Sequence, residues 1–309
     1  MSVGTPVLTS RVRAAQEKAR VLREALPWMR RWSGRTVVVK YGGNALADRA
    51  DGLDAFAADV ALLHSVGVRV VVVHGGGPQI SELSARLGIA THFVEGRRVT
   101  DDATLDVAKM VLLGLVNPQV VGAVTAAGAP AAGVAGTDGG LLRARLSDPR
   151  LGRVGDVDAV DPAVLTSLLD DGVVPVVAPL GRLADGGECN VNADAVAGAV
   201  AAALGADKLI VLTNVAGLYE QFGVEGVEPT LLSEVSLEGL RAWLAEGTLH
   251  AGMVPKVAAV VAALDAGVAR AHLLDGRVEH ALLLEVFTDE GIGTMITPGT
   301  SGAAAAATP

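Results

Sequence analysis

Two lysines in this chain stand where an ammonium group can meet an anion. Lys40 ends the run Val37-Val38-Val39 and leads into Gly42-Gly43-Asn44, and Lys256 follows Gly252-Met253-Val254-Pro255 at the head of a helical pattern. Lysine is scarce: of 25 basic residues only Lys18, Lys40, Lys109, Lys208 and Lys256 are lysine, so one placed beside glycines stands out. A compact ammonium on a flexible stem can follow a phosphoryl group. A second run, Val70-Val71-Val72-Val73, stops at His74-Gly75-Gly76-Gly77-Pro78. Glycines between a strand and a helix let backbone N–H groups point at an anion. Gly96-Arg97-Arg98-Val99-Thr100 puts an arginine at a loop–helix junction, able to grip a carboxylate bidentately. Asn190-Val191-Asn192-Ala193-Asp194 opens another helix. Taken singly, these are a strand end, a tight turn, a surface charge and a first-turn acid serving the helix dipole. Jointly they describe one site, with two lysines and backbone donors for phosphate, an arginine for a carboxylate, and an acid to hold the cations.

Several chemistries are excluded. No G-x-x-x-x-G-K-[ST] loop, protein-kinase H-R-D or D-F-G, or G-x-G-x-x-G after the first strand is present. The six histidines form no H-x-x-H or H-E-x-x-H pair, which argues against a protein-built zinc site. A net charge of −9 argues against nucleic-acid binding. No uninterrupted apolar run reaches the ~18 residues of a membrane span, so no membrane partner is expected. The single cysteine, Cys189, excludes an internal disulfide, fits a reducing cytoplasm and is expected to be a small core filler.

The positioning elements follow from a composition that is 50% hydrophobic but only 3% aromatic, with 38 glycines. That balance suits Val-rich buried strands and Ala-rich helices in an α/β fold. The pattern predicts strands at 36–41, 68–73, 173–178, 208–213, 270–274 and near 293–297. Helices are expected at 51–66, 78–87, 102–116, about 118–127, 162–170, 192–204, 237–245, 254–266 and near 280–287. Short hairpin strands fall around 132–158, and a long loop or hairpin spans 216–235. A lobe boundary is expected at Gly205-Ala206, and the ends 1–9 and 300–309 as disordered. From Ser10 to Trp32, Val12, Ala15, Ala19, Leu22, Leu26 and Met29 recur at spacings of three and four, the seam of one helix, with Pro27 expected to kink it. Seven basic and two acidic residues make it positive, which favours a partner-binding helix over one packed on its own domain or a targeting segment.

In this order the motifs resemble the amino-acid kinase family from about residue 34 to 299, and within it the branch that phosphorylates N-acetyl-L-glutamate. One departure is Ala251-Gly252, where the family usually has Gly-Gly. The resemblance implies a three-layer αβα sandwich with an open, mainly parallel central sheet. It implies an arm at 1–33, a substrate lobe at 34–205 and a nucleotide lobe at 206–299. The implied reaction passes the γ-phosphoryl group of ATP, with Mg²⁺ carried on the nucleotide, to the γ-carboxylate of N-acetyl-L-glutamate in arginine biosynthesis. Lys40, Lys256, Asp194, Gly43 and Gly76 would carry the transfer. Gly75, Gly76, Gly77, Arg98 and Asn190 would hold the substrate. Lys40, Gly42, Gly43, Thr213, Asn214, Gly217 and Lys256 would hold the nucleotide. The N-terminal helix resembles an extension that links dimers into a homohexamer in arginine-inhibited members. On that resemblance His272, Glu285 and Gly291 would contact L-arginine. A glutamate 5-kinase-like enzyme, or a non-catalytic arginine-sensing domain of the same fold, remain alternatives.

Overall fold

The computed structural model describes residues 10–42, 52–220, 229–250, 252–288 and 291–299. Gly43, Asn44, Ala251, the span 221–228 of the long loop and the two expected disordered ends lie outside these residues. Helix α1 covers Ser10–Trp32 as the seam predicts. Its C-terminal turns pack through Trp28, Met29 and Trp32 on the core, while Val21, Leu22 and Leu26 are exposed.

The helices that follow are α2 (Gly52–Ser65), α3 (Gly77–Arg86), α4 (Asp102–Val111), α5 (Asn117–Ala126), α6 (Ala163–Asp170), α7 (Ala193–Ala203), α8 (Leu237–Glu246), α9 (Val254–Asp265) and α10 (Ala281–Phe287). The strands are β1 (Thr36–Tyr41), β2 (Arg69–His74), β3 (Phe93–Val94), β4 (Arg97–Arg98), β5 (Ala131–Ala135), β6 (Leu142–Leu146), β7 (Val154–Val160) and β8 (Val174–Ala178). After them come β9 (Leu180–Arg182), β10 (Glu188–Val191), β11 (Lys208–Thr213), β12 (Tyr219–Glu220), β13 (Thr230–Leu231), β14 (Glu234–Ser236), β15 (Ala271–Asp275) and β16 (Thr294–Thr297).

Eight strands form one sheet in the order β14-β16-β15-β11-β1-β2-β8-β5. Every neighbouring pair is parallel except β15 with β16. The Val runs take the centre because a parallel strand covered on both faces must be apolar on both. Each fully buried Val contributes about 1.5–3 kcal/mol. Alternation then divides β1. Val37, Val39 and Tyr41 face a core built with α2, α4, α5 and α10, whereas Val38 faces one built with α6, α7, α8 and α9. Two cores on one sheet make three layers. The sheet crosses the expected lobe boundary without a break, since β11 pairs with β1 at Val38↔Leu209.

Two local expectations change. The helices expected at 102–116 and 118–127 are one continuous rod, joined by a π-helical turn at Leu112–Val116 in which Asn117 N–H bonds back to Leu112 O. Pro118 has no N–H to give an α-helical turn, and the widened turn absorbs that loss. By length and composition Asp102–Ala126 could cross a membrane, but Leu105, Val107, Val111, Leu112, Val116, Val120 and Val124 pack in the core of the fold. The second change is β10, which occupies the expected lead-in to helix 192–204 and closes a small barrel with β6, β7 and β9. It is four residues long behind two glycines, too short to show as an alternating pattern.

Candidate active site

The site lies where β1, α7 and α9 converge. Lys40 is on the same face of β1 as Val38, so its side chain runs toward the α7 layer. Asn192 caps α7, its Oδ1 accepting from Asp194 N–H at 2.8 Å and Ala195 N–H at 3.2 Å. That cap fixes Asp194 in the first turn, buried. Lys40 Nζ forms an ion pair with Asp194 Oδ1 at 3.0 Å, and Lys256 Nζ donates to Asp194 Oδ2 at 3.0 Å. Lys256 can reach because α7 and α9 touch closely: a Cβ on Gly198 would stand 2.8 Å from Ala259 O. Burial would raise the Asp194 pKa, but the two ammonium groups outweigh it and hold the carboxyl below its ordinary range. Burial lowers the Lys40 pKa; Asp194 opposes this and Lys256 adds to it. One carboxylate between two ammonium groups leaves one net positive charge at the end of β1.

The second glycine loop is anchored from both sides. Gly75 N–H donates to Tyr41 O at 2.9 Å, tying it to the end of β1. At Gly76 an added Cβ would meet Leu112 Cδ2 at 2.7 Å, so any side chain there would have to displace Leu112. Arg98 leaves β4 to donate through Nη2 to Gly77 O at 2.9 Å and Ser81 Oγ at 2.7 Å. Its guanidinium lies 4.9 Å from the Phe93 ring, and Nη1 is buried with no partner among the described residues. Such a donor is costly to leave unmet, as expected of a group waiting for a ligand carboxylate. Asn190 is on β10, half-buried on the face it shares with Glu188, which pairs with Lys109 at 2.6 Å. Thr213 ends β11, its hydroxyl bonded within its own loop to Val215. The loop through Asn214 and Gly217 is tied to β16, Leu218 N–H donating to Thr294 Oγ1 at 2.8 Å.

His272, Glu285 and Gly291 assemble elsewhere. Glu285 Oε1 meets His272 Nδ1 and, at 3.2 Å, Lys208 Nζ, while its Oε2 accepts from Ile292 N–H at 3.2 Å next to Gly291. Lys208 also lies 4.9 Å from the Trp32 ring, at the end of α1. Lys208 and Trp32 were not singled out from the sequence as members of this group. Lysine scarcity was the available signal for Lys208, masked by its place at a strand start. Ser81 and Phe93, which steady Arg98, carried no signal beyond their closeness to the motifs.

A chain with these lysines, glycine loops and sheet belongs to the amino acid kinase family, whose model matches residues 35–275. It is 49% identical over 291 residues to the acetylglutamate kinase of Symbiobacterium thermophilum, covering 91% of this chain and 98% of that one. It is 51% identical over 300 residues to that of Frankia alni, covering 95% and 86%. Among solved structures, N-acetylglutamate synthase from Neisseria gonorrhoeae, complexed with coenzyme A and N-acetyl-glutamate, superposes with a TM-score of 0.79 at 30% identity. That match covers 91% of this chain, which spans 64% of the synthase. Carbamate kinase from Giardia lamblia bound to AMP-PNP shares the fold, with a TM-score of 0.65 at 19% identity over 86% of this chain and 99% of that one.

Proposed function

We infer that this chain transfers the γ-phosphoryl group of ATP to the γ-carboxylate of N-acetyl-L-glutamate, giving N-acetyl-L-glutamyl 5-phosphate and ADP, a step of arginine biosynthesis. The observation that carries the chemistry is the pair of ammonium groups on the two oxygens of one buried carboxylate, Lys40 and Lys256 on Asp194. The identity of the acceptor rests on the acetylglutamate kinases that match nearly the whole chain. A carboxylate nucleophile, with an unperturbed pKa of about 4.3, is already ionised at neutral pH and needs no general base. The barrier is bringing one anion to another, so charge neutralisation and alignment dominate. Lys40 stabilises the transferring group and Lys256 the leaving ADP, while Asp194 holds both. Gly43 and Gly76 donate N–H groups to phosphoryl oxygens. Arg98 Nη1 and Asn190 take the α-carboxylate side of the substrate. ATP lies along the ends of β1 and β11, near Gly42, Thr213, Asn214 and Gly217.

Mg²⁺ is proposed to arrive on the triphosphate. Among the described residues no three His, Cys, Asp or Glu side chains cluster as metal ligands, and both Asp194 oxygens are taken by ammonium groups. When bound, the ion would neutralise phosphate charge.

Regulation is a separate proposal. The cluster at Glu285 contains buried nitrogens without hydrogen-bond partners among the described residues, His272 Nε2 and, across Lys208, Trp32 Nε1. These, together with the acid, suit L-arginine. The exposed apolar residues of α1 suit the association of dimers into a cytoplasmic hexamer.

A coupled ADP-release assay on N-acetylglutamate, glutamate and aspartate, with and without arginine, tests the reading. Preference for unacetylated glutamate overturns the substrate. No turnover on any of them, with arginine bound, favours the sensing domain.

A further inference from the structure

His74 precedes the three glycines, is fully buried, and has no role in the transfer described above. Its ring is held at both ends. Nδ1 lies 2.9 Å from Gly75 O, and Nε2 lies 3.1 Å from Asn117 Nδ2. Asn117 Nδ2 also donates to Val176 O at 2.8 Å. The carbonyl of Val176 can only accept, which fixes the amide nitrogen on that side and presents its second N–H to His74. Gly75 O can likewise only accept, so Nδ1 carries the ring proton and Nε2 is the acceptor. Burial pushes the His74 pKa down to about 4, so the ring is neutral at working pH.

Asn117 reaches this position through the π-turn. The i→i−5 hydrogen bond of that turn puts the Asn117 N–H on Leu112 O, which in an α-helix would take the N–H of Val116. Gly133 on β5 leaves room for its Oδ1. The same turn sets Leu112 against Gly76. A trans amide has its N–H antiparallel to its C=O. With Gly75 O held toward His74, the Gly76 N–H is aimed the opposite way, away from His74.

We propose that Asn117 is a positioning residue for phosphoryl transfer: through His74 it fixes the Gly75–Gly76 amide so that the Gly76 N–H is aimed at the transferring group. The proposal rests on the kinase reading for its kinetic consequence but not for its tautomer. Two measurements on the full chain test it. In ¹⁵N-histidine-labelled wild-type protein, long-range ¹H–¹⁵N correlation should show His74 protonated at Nδ1. The Nε2–H form in wild type overturns the proposal whatever the enzyme turns over. Asn117→Asp is nearly isosteric but offers His74 Nε2 an acceptor, so the ring must move its proton to Nε2 or gain a second one. Its kcat should fall about 10–100-fold, the scale of a misdirected transition-state donor. KM for both substrates should hold. Wild-type kcat in a folded Asn117→Asp protein, or a loss confined to KM, overturns it. If Asn117→Asp does not fold, the wild-type tautomer decides alone. Absence of wild-type turnover on N-acetylglutamate refutes the kinase reading instead, and leaves the tautomer result standing.

Discussion

Asp194 and Glu285 are both buried acids set between basic groups, on opposite faces of one sheet. Lys40 shares a face of β1 with Val38, whereas Lys208 shares a face of β11 with Ile210 and Leu212. Lys208 lies beside Val37, three residues before Lys40, so the clusters are offset by about 10 Å along the strands. They differ in access. The Lys256 side chain is 18% exposed, while those of Lys208, His272 and Glu285 are 4–6% exposed. A phosphate can therefore meet the first cluster as it stands. Any ligand engaging Glu285 must displace Lys208 or His272. On the proposed reading the open cluster would serve turnover and the closed one a two-state response to a ligand.

The largest effects should separate the two. Lys40→Ala or Lys256→Ala should lower kcat about 10²–10³-fold, the usual cost of a lost transition-state charge partner, with a milder effect on the KM for ATP. Glu285→Gln should leave kcat close to wild type under the same steady-state assay. Near-normal turnover in either lysine variant removes that lysine from the transfer. Next in size is the arginine response. Glu285→Gln, or deletion of residues 1–31, should raise the arginine concentration for half-inhibition about 5–150-fold, the span of a typical allosteric coupling. The deletion should also abolish hexamers by light scattering. A hexamer that survives truncation means α1 is not the linker.

The first cluster was legible because its residues sit in short motifs at element ends, where spacing alone brings chemistry to a strand tip or a helix start. Lys40 and Asp194 meet because β1 alternates and Asn192 caps α7, both readable from sequence. The second cluster was legible only in part. Lys208, His272 and Glu285 come from two strands and a helix joined by register, and Trp32 from a helix far earlier in the chain. Nothing local announces such a meeting. The π-turn was hidden for another reason. Pro118 marks a break in a helical pattern, and the sequence does not say whether the chain turns away there or widens and continues. The fold itself was the easiest part, because Val runs ending at glycines leave few alternatives to parallel strands.

A smaller effect tests how the open cluster is held together. Gly198→Ala puts a methyl against the Ala259 carbonyl, so α9 must move away from α7. Overpacking of this kind costs about 1–3 kcal/mol. Because Lys256 leaves the same face of α9, kcat should fall with the urea midpoint. The arginine response, on the other face of the sheet, should hold. A variant that loses stability but keeps kcat would show that Lys256 tracks Asp194 without help from the helix contact.

The smallest effect concerns the two buried histidines, one beneath each region. Burial lowers the pKa of both His74 and His272 from the ordinary 6.5, to about 4 for His74. The folded state thus favours the neutral ring. Each contribution is fully present above pH 6.5 and is lost as pH falls toward the folded pKa, by about 1.4 kcal/mol per pH unit per group. His272→Asn removes one of the two. If burial rules at His272, the stability gap between wild type and variant should narrow as pH falls below 6.5, read from urea midpoints. A gap that stays constant means His272 takes up its proton inside the fold. In that case its contact with Glu285 offsets burial, and below pH 6.5 the closed cluster carries two positive charges on one acid, as the open one does.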